Sequence, residues 1–238
     1  STKKRNDAYQ QYAPLLSTEA AAKALRQSNV ESKAITHLIT VSCTGSYAPG
    51  LDIDLVDSLQ LPLHVQRTNI HFMGCYAAFN ALKAADAFCN TDSAVKVLIV
   101  CTELCSLHFQ KENTEDNMLA NALFADGSAA VIVEADALSK KALNLTAHYS
   151  ELARQGNKDM AWTLGDFGFE MKLSSYVPDV IRSGIKELTS KLLSKLKLSV
   201  NEVHHFAIHP GGRKILETIE QELGLKREQN LHAYQVLK

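Results

Sequence analysis

A layered α/β fold is what this sequence predicts, and three observations carry it. Strand-like and helix-like segments alternate along the chain, the pattern of stacked sheet and helix layers. Val95 to Val100, apolar at every position but Lys96, reads as a strand at the centre of a sheet. At 238 residues, 46% hydrophobic and 21% charged, the chain is long enough to bury a substantial core and ordinary for a globular protein.

The elements follow in order. Ser17 or Thr18 caps a helix that runs to about Arg26, with Glu19 near its positive end. His37 to Val41 reads as a buried strand, Cys43 to Gly50 as a loop and Asp52 to Leu59 as a short helix. Thr68 to Phe72 is a strand. Cys75 to Phe88 is a helix with small residues on several faces, so burial on all sides is expected. After the central strand, Asn117 to Leu123 is helical, and Ser128 to Val133 and Leu143 to Tyr149 read as paired strands. Glu151 to Lys172 is looser, with the sole tryptophan, Trp162, and Gly156, Gly165 and Gly168. Tyr176 to Leu196 is a long amphipathic helix with Pro178 in its first turn. Val203 to Ile208 is a short strand, and Lys214 to Leu223 a helix. A two-part layout is expected, with residues 1–135 carrying Cys75 and residues 136–238 carrying His209.

Composition excludes several function classes. A formal net charge of -1 argues against nucleic acid as the main partner, because phosphate binding needs a basic surface. No apolar run reaches the length of a membrane span. The beginning is basic but lacks the apolar stretch of a signal peptide. Cysteines 43, 75, 89, 101 and 105 form no CxxC pair, and no clustered His or Cys completes a metal set. Free thiols in a cytoplasmic protein are the simplest expectation.

Two residues suggest chemistry. In His71-Phe72-Met73-Gly74-Cys75, a strand runs into a glycine and then a thiol at the start of a helix. Unpaired N–H groups and the helix dipole favour an anion there, which would support a thiolate nucleophile at Cys75. The same placement also suits one more buried small residue, since free cysteine is among the most buried types. His209 ends a strand and precedes Pro210, Gly211 and Gly212. A histidine suits proton transfer near neutrality, and the two glycines allow a ligand to approach the backbone. A satisfied structural histidine is the alternative.

At this point the chain resembles a known family. Phe72-Met73-Gly74-Cys75, Ala122 to Ala130 (ALFADGSAA) and Ala207-Ile208-His209-Pro210-Gly211-Gly212 are similar to the chalcone synthase family, the type III polyketide synthases. Val41 to Gly50 (VSCTGSYAPG) and Val100-Cys101-Thr102-Glu103 fit the same family, and its bacterial branch better than the plant one. The resemblance implies a thiolase-like αβαβα fold, incomplete at both termini here, and a homodimer. It implies decarboxylative condensation of malonyl-CoA onto an acyl starter held on Cys75, with His209 near the sulfur and stabilising the thiolate. No cofactor is implied beyond the CoA thioesters themselves, acyl-CoA and malonyl-CoA. Gly211 and Gly212, where a ligand can approach the backbone, are the candidate positions for binding it.

The resemblance also assigns pocket positions. Phe124 matches a gatekeeper phenylalanine between CoA tunnel and acyl cavity, and Met171 stands where plant enzymes usually carry the second phenylalanine. Cys43, Cys105 and His108 stand where those enzymes have threonines, and Ala48 lies on a loop that reaches the partner subunit's cavity in the family. These departures point away from chalcones towards alkylpyrone or alkylresorcinol products. The family's catalytic Asn would fall just past Lys238, and its CoA-binding Lys and Arg lie upstream of Ser1. Little or no polyketide-forming activity is therefore expected of this piece alone. A ketoacyl synthase III-like condensing enzyme is the rival, but such enzymes usually carry a His-Gln-Ala-Asn sequence in place of His209-Pro210-Gly211-Gly212. A non-catalytic thiolase-fold association module is the reading from another class.

Overall fold

In the computed structural model the first helix, α1 (Thr2–Ser28), buries Tyr9, Ala13, Ser17, Ala21 and Leu25. Four-residue spacing draws one stripe down a helix. The helix therefore starts well before the expected Ser17, and Ser17 caps nothing. Its buried hydroxyl lies 2.6 Å from that of Thr102. The early turns are hard to read because the stripe is mostly small or polar and Pro14, normally a helix breaker, sits inside. The structure describes residues 1–135, 142–156, 160–173 and 177–238.

The chain continues through β1 (His37–Ser42), α2 (Leu51–Leu59), β2 (Gln66–His71), α3 (Ala77–Cys89), β3 (Lys96–Leu104), α4 (Glu115–Leu123) and β4 (Asp126–Glu134). A four-stranded sheet has the order β2-β1-β3-β4. The first three strands are parallel, and β4 runs antiparallel to β3. Alternate side chains serve opposite faces, as the strand period requires. Leu38, Leu98 and Val100 join α1 and α2, while Ile39, Val41, Val97 and Ile99 join α3. The buried stripe of α3 is Ala77, Ala81, Ala85 and Cys89, small residues that let one face lie close to the sheet, so the helix is not buried on all sides as expected: Phe79 on another face is 49% exposed. Every position of β1 is buried, as in a strand covered on both faces.

Strand register decides where the chemistry falls. Ser42 pairs with His71, so β1 and β2 end level, and Val41 pairs with Cys101, so β3 runs on beyond them to Leu104. Cys43, Cys75 and Cys105 each follow one of these ends. Open α/β sheets place their sites there.

The chain divides into two compact units that interleave along the sequence. The first comprises Ser1–Gln110, Phe124–Leu143 and Leu164–Glu170, and the second Lys111–Leu123, Asn144–Thr163 and Met171–Lys238. A two-stranded ladder, β5 (Met160–Gly165) and β6 (Gly168–Leu173), contributes its tip to the first unit. The second unit holds α5 (Val177–Ser194), α6 (Arg213–Leu223) and α7 (Leu231–Val236). α5 packs on α6, where Lys186 and Arg182 reach Glu222 at 2.9 and 3.6 Å. A small core gathers Leu216, Ala233 and Tyr234 with Ile208 and Leu237.

Two expected strands are not ladders. Residues 143–149 and 203–208 have strand-like composition, but neither pairs with a strand among the described residues. A strand exists through its neighbour's hydrogen bonds. In the second segment those bonds go to a loop instead: Phe206 N–H donates to Gln229 O at 2.8 Å. Tyr176, the expected start of the long helix, and residue 136, the expected opening of the second part, lie outside the described residues.

Candidate active site

The turn that presents Cys75 is built by an unusual backbone. Phe72 has φ 54° and Gly74 φ 69°. Left-handed backbone comes freely to glycine and at a cost to phenylalanine. A short 3-10 turn, Gly74–Tyr76, then leads into α3. The thiol is thus exposed at the start of a helix, as the sequence predicts. The Gly74 N–H points back and donates to Cys43 Sγ at 3.2 Å, tying the turn to the end of β1.

The electrostatics of the first unit hold Cys75 as a thiol. Desolvation by surrounding protein raises its pKa and the Glu103 carboxylate raises it further, while its own N–H opposes them. Burial and Glu103 thus act against the thiolate that the helix end favours. The same two causes raise Cys43, push Cys101 up to about 11 and push Cys105 up to about 12.

Glu103 entered the sequence reading only as part of a family motif, with no role assigned to it. Its carboxylate accepts the Cys43 N–H at 2.9 and 3.0 Å, the Thr44 hydroxyl at 2.7 Å and the Ser42 hydroxyl at 3.3 Å. Burial raises its own pKa against those donors. The available signal was one acid ending an apolar strand, Val97-Leu98-Ile99-Val100-Cys101-Thr102-Glu103. Buried acids are rare unless satisfied.

His108 is a bracket. Its Nδ1 accepts the Phe169 N–H at 2.9 Å, so Nε2 carries the proton and donates to Thr44 O at 2.6 Å. The imidazole stacks on the Phe169 ring at 4.3 Å, and Phe169 meets Phe72 at 5.1 Å. Burial lowers the pKa of His108, which keeps it neutral. Cys105 and His108 share a 3-10 turn that Asp126 holds through the Ser106 N–H at 2.8 Å and the Ser106 hydroxyl at 2.6 Å. Phe124, half-buried, lies two residues before Asp126. Ala48 is exposed.

The second unit carries the other candidates. His209 ends the 203–208 segment with its imidazole partly open to solvent, and desolvation draws its pKa below the usual histidine value. Gly211 N–H donates to His209 O at 2.9 Å, closing a tight turn. Gly212, with φ 135°, starts α6 in a conformation that L side chains rarely adopt. A Cβ on Gly211 would come within 3.2 Å of Ile215. The backbone at Gly212 calls for glycine in itself, while the contact at Gly211 is with the tip of the Ile215 side chain. Lys214 is exposed, and Met171 is half-buried on β6. Cys75, Cys43, Cys105, His108 and Phe124 thus belong to the first unit, and His209, Met171, Gly211 and Gly212 to the second. No group of three His, Cys, Asp or Glu among the described residues could hold a metal ion. No described helix is long and apolar enough to cross a membrane.

Comparison with known proteins matches both parts of the chain. Residues 1–137 match the N-terminal domain of chalcone and stilbene synthases, and residues 144–238 the C-terminal domain. "Probable polyketide synthase 1" of Dictyostelium discoideum is 32% identical over 97% of this chain, which spans 8% of that protein. "Alpha-pyrone synthesis polyketide synthase-like Pks18" of Mycobacterium tuberculosis is 29% identical over 96% of this chain, which spans 59% of it. Among solved structures, the C-terminal type III polyketide synthase domain of Steely1 from Dictyostelium superposes with a TM-score of 0.91 at 31% identity. That match covers 98% of this chain and 66% of the other. PKS-I from the brown alga Ectocarpus siliculosus gives 0.90 at 30% identity, covering 99% and 63%.

Proposed function

We propose, from the premise that the chain belongs to the chalcone and stilbene synthase family, that the whole protein is a type III polyketide synthase. The observation that carries this reading is the Cys75 turn: an exposed thiol at the start of a helix, in a chain of this family. The starter acyl group passes from CoA sulfur to Cys75 sulfur, and CoA leaves as its thiol. Malonyl-CoA then loses CO₂, and the enolate carbon attacks the Cys75 thioester. The bond to sulfur breaks, the thiolate is regenerated and a β-ketoacyl-CoA is released. His209 is the base for the thiol and the donor to the thioester oxygen where negative charge grows. Its charge supplies the anion stabilisation that the first unit, with Glu103 nearby, does not give Cys75.

In this reading Phe124 and Met171 flank the passage, and Cys43, Cys105 and His108 shape the acyl site. His108 acts there as wall rather than donor, since both ring nitrogens are engaged. Gly211 and Gly212 give CoA access to the backbone. An alkylpyrone or alkylresorcinol product fits the small and sulfur-bearing residues at Cys43, Ala48 and Cys105. The alpha-pyrone relative supports the pyrone. Homodimerisation is supported by Phe72, Met73, Tyr76 and Phe79, 42–49% exposed around the turn, an apolar cluster that water would disfavour. Five free cysteines suit a cytoplasmic protein, and the chemistry needs no metal or redox cofactor. The test is product analysis of the whole protein with malonyl-CoA and a panel of acyl-CoA starters. Starter-dependent pyrones or resorcinols are expected. Transfer only from acyl carrier protein would instead support the ketoacyl synthase reading.

A further inference from the structure

Asn230 is fully buried, at 0% exposure, in the second unit. It occupies the position just before α7, where asparagine usually turns its side chain onto the helix's own N–H groups. Here it makes no such cap bond. The side chain turns inward instead. Its Oδ1 accepts the Ile208 N–H at 3.3 Å, and its Nδ2 donates to Glu220 Oε1 on α6 at 3.1 Å. The second Glu220 oxygen accepts the Tyr234 hydroxyl at 2.9 Å. The Arg227 guanidinium lies over the Tyr234 ring at 4.1 Å.

The amide is the chemistry this place needs. One side must accept from a backbone N–H, and the other must donate to a carboxylate. A carboxylate has no proton to donate, and a hydroxyl would have to do both from one oxygen, whereas the amide does each from a separate atom. The segment it grips has no strand neighbour among the described residues, so few bonds fix it. Phe206 N–H to Gln229 O, Gln229 Nε2 to Val203 O and Val203 N–H to Val200 O, at 2.8, 3.2 and 3.1 Å, also hold it. Ile208 is the residue immediately before His209.

We propose that Asn230 is a positioning residue for His209. Its amide clamps the Ile208 backbone to Glu220 and so fixes the direction in which the imidazole points. The proposal rests on His209 being the acid–base group of the proposed reaction. Burial matters to its strength, because a buried polar network is stiff only when every member is satisfied.

The test uses the whole protein and malonyl-CoA decarboxylation and condensation, comparing Asn230→Ala, Asn230→Asp and the double variant Asn230→Asp with Glu220→Gln. His209→Ala is the reference. Asn230→Asp keeps the acceptor for Ile208 but sets a carboxylate against Glu220. The double variant restores an acceptor facing a donor. Both single variants are expected to lose about 10- to 100-fold in kcat, as small misplacements of reacting groups do. Their KM for malonyl-CoA should stay within about twofold, as expected when ground-state binding is kept. The double variant should regain most of the kcat. A parental kcat in either single variant, with His209→Ala inactive, overturns the proposal and leaves the reading of His209 standing. So does a double variant that regains thermal stability without regaining kcat, and this decides the matter if Asn230→Ala fails to fold. Full turnover by His209→Ala overturns the reading of His209 and the proposal together.

Discussion

The two candidate residues are held in opposite ways. Cys75 stands at the carboxyl end of a sheet whose central strands are buried, with apolar clusters on its two faces. His209 ends a segment with no ladder, fixed by single hydrogen bonds to a loop and by a core of three buried side chains. Packing positions the thiol, and polar contacts position the histidine. The thiol should therefore tolerate surface changes and fail with the sheet, while the histidine should respond to individual polar substitutions. Electrostatically the contrast runs the other way. The well-packed unit raises the Cys75 pKa through burial and Glu103, so the sheet supplies position but not reactivity.

The largest effect expected is on chemistry. Cys75→Ala should abolish condensation. His209→Ala should lower it by about 10²–10⁴, the usual value of a general acid–base group. Steady-state turnover with a preferred starter measures both, and near-parental rates in either would break the division of labour.

Next comes stability. Leu98→Ala removes a side chain at 0% exposure from the central sheet, and Leu216→Ala does the same in the small core. Each should cost about 2–5 kcal/mol. Leu98 should lie at the upper end, because a dense core relaxes less around a cavity. Urea denaturation with fluorescence or circular dichroism gives the ranking, and a larger loss at Leu216 would reverse the comparison.

A smaller effect separates position from reactivity. Removing the Glu103 charge takes away one cause of the raised thiol pKa, so Glu103→Gln should shift Cys75 alkylation to lower pH. His209→Ala should shift it to higher pH if the imidazolium supports the thiolate. Iodoacetamide rates across pH, read on the Cys75 peptide, give both signs. Like shifts from both variants would refute the electrostatic account. Smallest of all, Lys186→Ala breaks a pair with Glu222 whose lysine side chain is 66% exposed. It should cost under about 1 kcal/mol.

How much was legible in the sequence follows the same contrast. The sheet strands and α3 were readable because apolar and small residues repeat at two- and four-residue spacing. The turn before Cys75 was readable from Gly74. α1 was not, since Tyr9, Ala13 and Ser17 make a stripe that no apolar pattern announces and Pro14 interrupts it. The strands expected at 143–149 and 203–208 failed because composition reports what can pair, not whether a neighbour arrives. Glu103, visible only as part of a motif, and Asn230 were given no role for a related reason. Each is a single polar residue whose importance comes from partners far away in sequence, Cys43 and Thr44 for one and Ile208 for the other.

The most direct test of the central claim is peptide mass analysis of the whole protein after incubation with an acyl-CoA starter. The account predicts one acyl adduct, on Cys75, lost in Cys75→Ala and slowed in His209→Ala. An adduct on Cys43, Cys101 or Cys105 with Cys75 unmodified would contradict it.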